Sequence, residues 1–135
     1  MEDIIQENQD TPLADKLEDV LGKTETTQEE MMKDPPDYQA ALGNLEGVVG
    51  DLEAVVNDGL LDPTEGNYFM NYYAEIARQL AVNTINKAIE LNGNQDTIDE
   101  ALGYLSEGDD LREQEKFKDA INKYKDALAK AESAI

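Results

Sequence analysis

The 135-residue chain has no cysteine, no histidine and no tryptophan. Without cysteine there is neither thiolate chemistry nor a disulfide framework, and nothing fixes the redox compartment. Without histidine the commonest general base and the commonest transition-metal ligand are both missing. No stretch approaches the roughly eighteen apolar residues of a membrane span, and the opening MEDIIQENQD lacks the basic and apolar regions of a signal peptide. Basic side chains are scarce too: 11 Lys and Arg stand against 31 Asp and Glu, a formal net charge of -20.

That imbalance is uneven. Residues 111–135 carry six basic and five acidic side chains, so residues 1–110 carry five basic against twenty-six acidic. A surface of this sign repels nucleic acid and anionic lipid, whose phosphates need clustered Lys and Arg. Nucleic acid is therefore excluded as a partner, and membrane insertion is not expected. What acidity favours is solubility, cations, basic partners, or a salty or calcium-rich medium. The length suits a single domain that buries a core without disulfides or metals.

Hydrophobic spacing throughout is that of helices. Residues 1–10 are polar and read as a disordered tail, leaving 11–135 as one helical domain. Thr11-Pro12 supplies a cap and a first-turn proline, and Leu13, Leu17, Val20, Leu21, Thr24, Gln28 and Met31 then trace one stripe. This first helix should run over 12–33, weakened by the β-branched Thr24, Thr26 and Thr27, and end at Pro35-Pro36. Asp37 caps the second, whose stripe is Tyr38, Leu42, Leu45, Val49, Leu52 and Val56, and Asn57-Asp58-Gly59 stops it. Gly43, Gly47 and Gly50 lie opposite that stripe. Mid-helix glycines cost about 1 kcal/mol each against alanine, so close approach of another backbone is the expected reason for them. A groove for a ligand or partner is the alternative.

Asp62 to Leu91 is the stretch around which the rest should be organised. Asp62-Pro63-Thr64-Glu65 is the best helix start in the chain, and no further proline interrupts the stretch before it closes on Asn92-Gly93. Its large apolar residues change side. Phe69, Tyr73, Ile76 and Leu80 share one face, and Val82, Ile85 and Ile89 another. The spacing thus predicts a third helix that joins two packing units, 11–80 and 81–135, or one that breaks near Leu80–Asn83. Thr97-Ile98-Asp99-Glu100 fits a capping box for a fourth helix with Ile98, Leu102, Leu105 and Leu111 inward. A fifth should run over 115–134 with Phe117, Ala120, Ile121, Tyr124, Ala127, Leu128 and Ala131 inward. Asp119–Lys123 and Asp126–Lys130 are expected as i,i+4 ion pairs along it. The fold class is all-α, a five-helix bundle.

Two resemblances follow from these residues. Tyr104, Gly108, Leu111, Phe117, Ala120, Tyr124 and Ala127 have the spacing of one tetratricopeptide repeat, so residues 101–134 resemble a single tetratricopeptide-like helical hairpin. The resemblance implies that Gly108 packs closely on Ala120 where the two helices cross. Glu115 departs from the family's usual turn glycine and Glu132 from its terminal proline, and one repeat is too few to imply a peptide groove. Residues 45–88, with Leu-x3-Val, then Gly-Leu, then a long helix, are similar to FIMAH-like helical modules. That likeness implies an accessory, non-catalytic domain of a secreted or cell-surface bacterial protein.

Three kinds of site are on offer. The run Asn92, Asn94, Asp96, Asp99 and Glu100 places oxygen ligands at nearly alternate positions, like a weak calcium loop, although Thr97 and Gly103 stand where such a loop needs glycine and glutamate. Glu107/Asp109/Asp110 and Asp58/Asp62/Glu65 are the densest carboxylate groups, and a hydrolase would need one of them raised in pKa inside a cleft. Tyr68 and Tyr72 flank the apolar stripe of the long helix and are the candidates for contact with a protein or glycan partner, while Phe69 and Tyr73 belong to the core. The leading expectation is a non-catalytic interaction or accessory module. A calcium-dependent structural module comes second and a carboxylate hydrolase third.

Overall fold

Four helices begin on caps that the sequence supplies. The computed structural model describes residues 1–7, 11–33 and 35–135. Thr11 accepts a bond from the Ala14 amide at the start of α2 (Pro12–Met32), and Asp37 does the same for Ala40 in α3 (Tyr38–Asn57). Asp62 accepts from the Thr64 amide at the start of α4 (Pro63–Glu90), and Pro63 occupies the first turn, where a missing N–H costs nothing. Asn94, three residues before the expected Thr97, caps α5 (Gln95–Glu113) by accepting from the Thr97 amide. The last helix, α6 (Phe117–Ala134), has no side-chain cap. It follows a turn in which Glu115 takes φ 61, the left-handed conformation that glycine adopts freely and other residues at a cost.

A sixth helix, α1 (Glu2–Glu7), lies within the segment expected to be disordered. Its Ile4 and Ile5, with Met1 just before it, have helical spacing and pack, half-buried, on the main core. Residues 8–10 of that expected tail lie outside the described residues. The threonine-rich middle of α2 is likewise helical throughout: Thr24, Thr26 and Thr27 each donate their hydroxyl to the carbonyl four residues back, so the side chains find partners without breaking the helix. The result is an all-α bundle of six helices, with no strand among the described residues.

α2 packs on α3, α5 packs on α6, and α4 lies against α3, α5 and α6. α6 in turn touches α3, α4 and α5, so the most extensively packed helix is the last rather than the long one. The main core draws on α2, α3, α4 and α6, with Leu17, Leu42, Leu45, Leu52, Tyr124 and Leu128 fully enclosed. A smaller cluster of Ile85, Ala88, Ile98, Ala101, Ala131 and Ala134 closes the other end of α4, α5 and α6.

The expected change of face along the long helix does not occur. Its buried residues, Gly66, Met70, Tyr73, Ala74, Ala77, Leu80, Ala81, Thr84, Ile85 and Ala88, recur every three or four positions and form one continuous stripe. Phe69, Ile76 and Val82 are only half-buried and Ile89 is exposed. The large apolar residues mislead because α4 approaches its neighbours through alanine and glycine, with bulkier groups at the margins. It does serve two clusters in succession, but along a single face and without a break.

Other expected contacts are also redrawn. Leu102 is exposed, and α5 instead buries Ala101 and Gly108 beside Ile98. Lys123 and Lys130 pair across to Glu107 and Glu100 of α5 rather than with Asp119 and Asp126 of their own helix. At Gly108 the approach is close: a Cβ there would stand 2.6 Å from the Tyr124 ring and 3.2 Å from the Ala120 carbonyl oxygen. Gly103, on the same helix, has open space around it. Gly108→Ala should therefore lower stability by about 2 kcal/mol through overpacking. Gly103→Ala should raise it by up to about 1 kcal/mol through helix propensity. Urea denaturation of the two variants side by side checks both signs.

Candidate functional site

Only two arginines occur in the chain, and both stand in one cleft between α4 and α5. The cleft, of about 430 Å³, is lined by Asn71, Glu75, Arg78, Asp109, Arg112 and Glu113. Arg78 grips Asp109 with two bonds, Nε to Oδ1 at 2.8 Å and Nη2 to Oδ2 at 3.2 Å. The buried Tyr124 of α6 donates its hydroxyl to the same Oδ1 at 2.6 Å. Arg112 donates Nε to Asn71 at 2.7 Å and Nη1 to Glu75. One carboxylate thus ties three helices together just above the Gly108 crossing.

The electrostatics follow from that geometry. Partial burial pushes the Asp109 carboxyl up, but the bonds from Arg78 and Tyr124 outweigh it, and the group lies below the usual carboxylate range. Burial, and then the bond to ionised Asp109, hold the Tyr124 phenol well above its ordinary value. Arg78 is raised by its bond to Asp109. A carboxyl kept ionised in this way cannot serve as the protonated acid that a carboxylate hydrolase needs. Of the other acids considered, Asp62 is occupied as the cap of α4, and Glu107 pairs with Lys123.

The calcium-like run is spread over a helix start. Asn92 takes φ 53 in the turn, and Asn94 Oδ1 is engaged by the amide and hydroxyl of Thr97. Asp99 accepts from Gln95, and Glu100 pairs with Lys130 on α6. Asp96 lies exposed in the first turn of α5. Among the described residues no three acidic side chains are gathered as a metal ion would require. Calcium coordination was expected of a loop, whereas capping by Asn94 turns most of that loop into α5.

The glycine face of α3 is not a seat for another backbone. Nothing stands within 4 Å of a Cβ at Gly43, and only the Lys23 and Lys118 side chains approach Gly47 and Gly50, at 3.7 and 3.8 Å. The lysine stems lie over a shallow groove in which Lys23 pairs with Asp51 at 2.7 Å.

The aromatic candidates are placed differently from the rest of their helix. Tyr68 is 72% exposed and Tyr72 58%, and among the described residues no other aromatic side chain is exposed. They sit one turn apart on the side of α4 directly opposite its buried stripe. Each ring is braced edge-on by its neighbour: Tyr68 by the half-buried Phe69 at 5.8 Å, Tyr72 by the buried Tyr73 at 5.4 Å. Tyr73 is itself fixed by a 3.0 Å hydrogen bond between its hydroxyl and that of Thr24 on α2. The ridge adjoins the arginine cleft, since Asn71 and Glu75 face α5 from the next positions round the helix. Sequence reasoning missed that cleft. Its signal was only the rarity of arginine, and locating it needs the pairing of α4 with α5.

Comparison with protein-family models, with curated proteins and with solved structures finds no match for this chain. Among the described residues no helix is long and apolar enough to cross a membrane.

Two outcomes are expected of this geometry. Because the Asp109 pKa is lowered by folding, its contribution to stability is complete above the ordinary carboxylate range and is lost as pH falls through the lower folded value. Asp109→Asn should cost about 1 kcal/mol at neutral pH, and the gap to wild type should close toward pH 3, as read from denaturation midpoints along a pH series. Calcium and magnesium at equal millimolar concentration should raise the melting temperature equally, by screening the acidic surface. A calcium-specific rise would restore a metal site at 92–100.

Proposed function

We propose that the chain is a non-catalytic interaction module that docks a partner protein on the Tyr68–Tyr72 ridge of α4. One observation carries this reading: the only exposed aromatic side chains are adjacent, braced by inner rings and aimed directly away from the core. Tyrosine supplies much contact area with few rotatable bonds, and it recurs in the residues that dominate binding energy. Nothing in the packing of α4 requires two tyrosines there, because the helix is held from its other side.

The finer architecture belongs to the same proposal. α5 and α6 form a tetratricopeptide-like hairpin, a reading supported by the close approach of Gly108 to Tyr124 and Ala120 and by the left-handed turn at Glu115. Together with the pattern of 45–88, the acidic cysteine-free composition supports an accessory part of a secreted or cell-surface bacterial protein. In this role the cleft carboxylates are structural, holding α4 against α5 so that the ridge keeps its orientation.

The test is to place a photo-crosslinking amino acid at position 68 and irradiate the chain in extract from its native source. A discrete adduct should form, and Tyr68→Ala/Tyr72→Ala in an otherwise identical chain should reduce affinity for the captured partner at least tenfold without lowering the melting temperature. Retained affinity in that double variant would move the interaction surface elsewhere.

A further inference from the structure

We infer that the partner segment seated on the ridge is a cationic helix, bearing Lys or Arg at i,i+4 spacing, whose cations lie over the Tyr68 and Tyr72 rings. This rests on the reading of the ridge as a docking surface and names what docks there.

Charge complementarity chooses the occupant. Along the outward face of α4 the line runs Glu65, Tyr68, Tyr72, Glu75 and Gln79, all exposed. Beside it stand Glu113, which lines the cleft with Asn71 and Glu75, and Glu115, which accepts from the side-chain amide of Asn67. The cations of this region are Arg78, Arg112 and Lys116. Arg78 is committed to Asp109, and Arg112 to Asn71 and Glu75, so of these three only the exposed Lys116 stands outside such pairs, against the exposed Glu65, Glu113 and Glu115. Glu65 carries no bond or ion pair with any described residue, and Glu115 accepts only from the amide of Asn67. The ridge therefore faces outward from a carboxylate-rich surface in a chain of net charge -20.

Such a field draws in a positive segment and repels a negative one before contact. At contact, tyrosine faces attract Lys and Arg through the ring quadrupole, and an exposed carboxylate one turn away can take the remaining donors. The spacing also matches. Tyr68 and Tyr72 are one turn apart on a helix, and cations at i,i+4 on a partner helix recur at the same interval. Bracing by Phe69 and Tyr73 holds both rings in place before the partner arrives, which reduces the ordering cost of binding.

The experiment uses the full chain and three synthetic amphipathic helical peptides of one apolar pattern. One bears Lys/Arg at the i,i+4 positions, one Gln and one Glu, and titrations are followed by calorimetry at two salt concentrations. The cationic peptide should bind saturably, the neutral one at least tenfold more weakly and the acidic one not at all. Tyr68→Ala/Tyr72→Ala should weaken the cationic peptide at least tenfold, Tyr68→Phe/Tyr72→Phe should leave most of the binding because the ring faces remain, and Glu65→Gln should weaken it about threefold. Cationic binding that ignores the alanine variant would reduce the effect to general acidity and overturn the inference. Equal binding of the neutral peptide, or tyrosine-dependent capture of a neutral oligosaccharide instead, would overturn the cationic partner as well. The crosslinking result at position 68 distinguishes these failures from failure of the docking surface itself: a partner captured there with no basic helix leaves the ridge standing and removes only its proposed ligand.

Discussion

The bundle depends on how closely α4 and α6 can approach. Both bury alanine at helical intervals: Ala74, Ala77, Ala81 and Ala88 on α4, and Ala120, Ala127, Ala131 and Ala134 on α6. Small side chains let two helices come near each other, and Leu45, Leu52, Ile121, Tyr124 and Leu128 are buried in the same core. Each alanine removes little apolar surface from water on its own. What it permits is dense packing of the larger residues beside it, where dispersion and burial together contribute most. α3 and α5 then attach to this pair from different sides, and α2 and α1 attach in turn to α3 and α2.

A chain of net charge -20 has to hold this assembly against self-repulsion. Five of its eleven cations form ion pairs between helices, while Lys33 pairs with Glu30 at the end of its own helix. Lys23 joins α2 to α3, Arg78 and Arg112 join α4 to α5, and Lys123 and Lys130 join α5 to α6. Exposed pairs of this kind contribute little to stability, because water and salt screen them. Their larger effect is on arrangement, because a lysine that bridges two helices also removes like-charge repulsion at that seam. The Asp109 carboxylate does most in this respect, since it accepts from Tyr124 of α6 and Arg78 of α4 while belonging to α5.

Helix type and approximate bounds were legible in the sequence because caps and stops are local. Thr11-Pro12, Asp37, Asp62-Pro63 and the Gly59 turn each act through backbone atoms a few residues away. The face buried by α4 was not legible. Weighting by large apolar side chains favoured Phe69, Ile76, Val82 and Ile89, while the helix packs through residues whose hydropathy says little. Met1, Ile4 and Ile5 were hidden for a related reason: three apolar residues in a polar segment become a helix only with α2 beneath them. Of the sites, Tyr68 and Tyr72 were readable as residues on the margin of a stripe, although their full exposure follows from the stripe's true position. The arginine cleft was out of reach, since Arg78 and Asp109 are 31 positions apart and meet only through tertiary pairing. The calcium-like run, offered second to an accessory role, lies for the most part on a helix. Asn94 caps a helix, and side chains that look alternate in an extended loop point in other directions once α5 begins at Gln95.

The position of α6 in the chain has a kinetic consequence. It is the last helix in sequence, and it touches α3, α4 and α5. A growing or refolding chain can pair α2 with α3 locally, but the alanine contact and the Asp109–Tyr124 bond have no partner until α6 exists. Those contacts therefore form only once α6 is present, with the α3–α6 pairing closing a loop that spans α4 and α5. Until then the apolar side of α4 has only α3 and α5 to cover it, which makes the unfinished chain, rather than the native one, the form most exposed to aggregation.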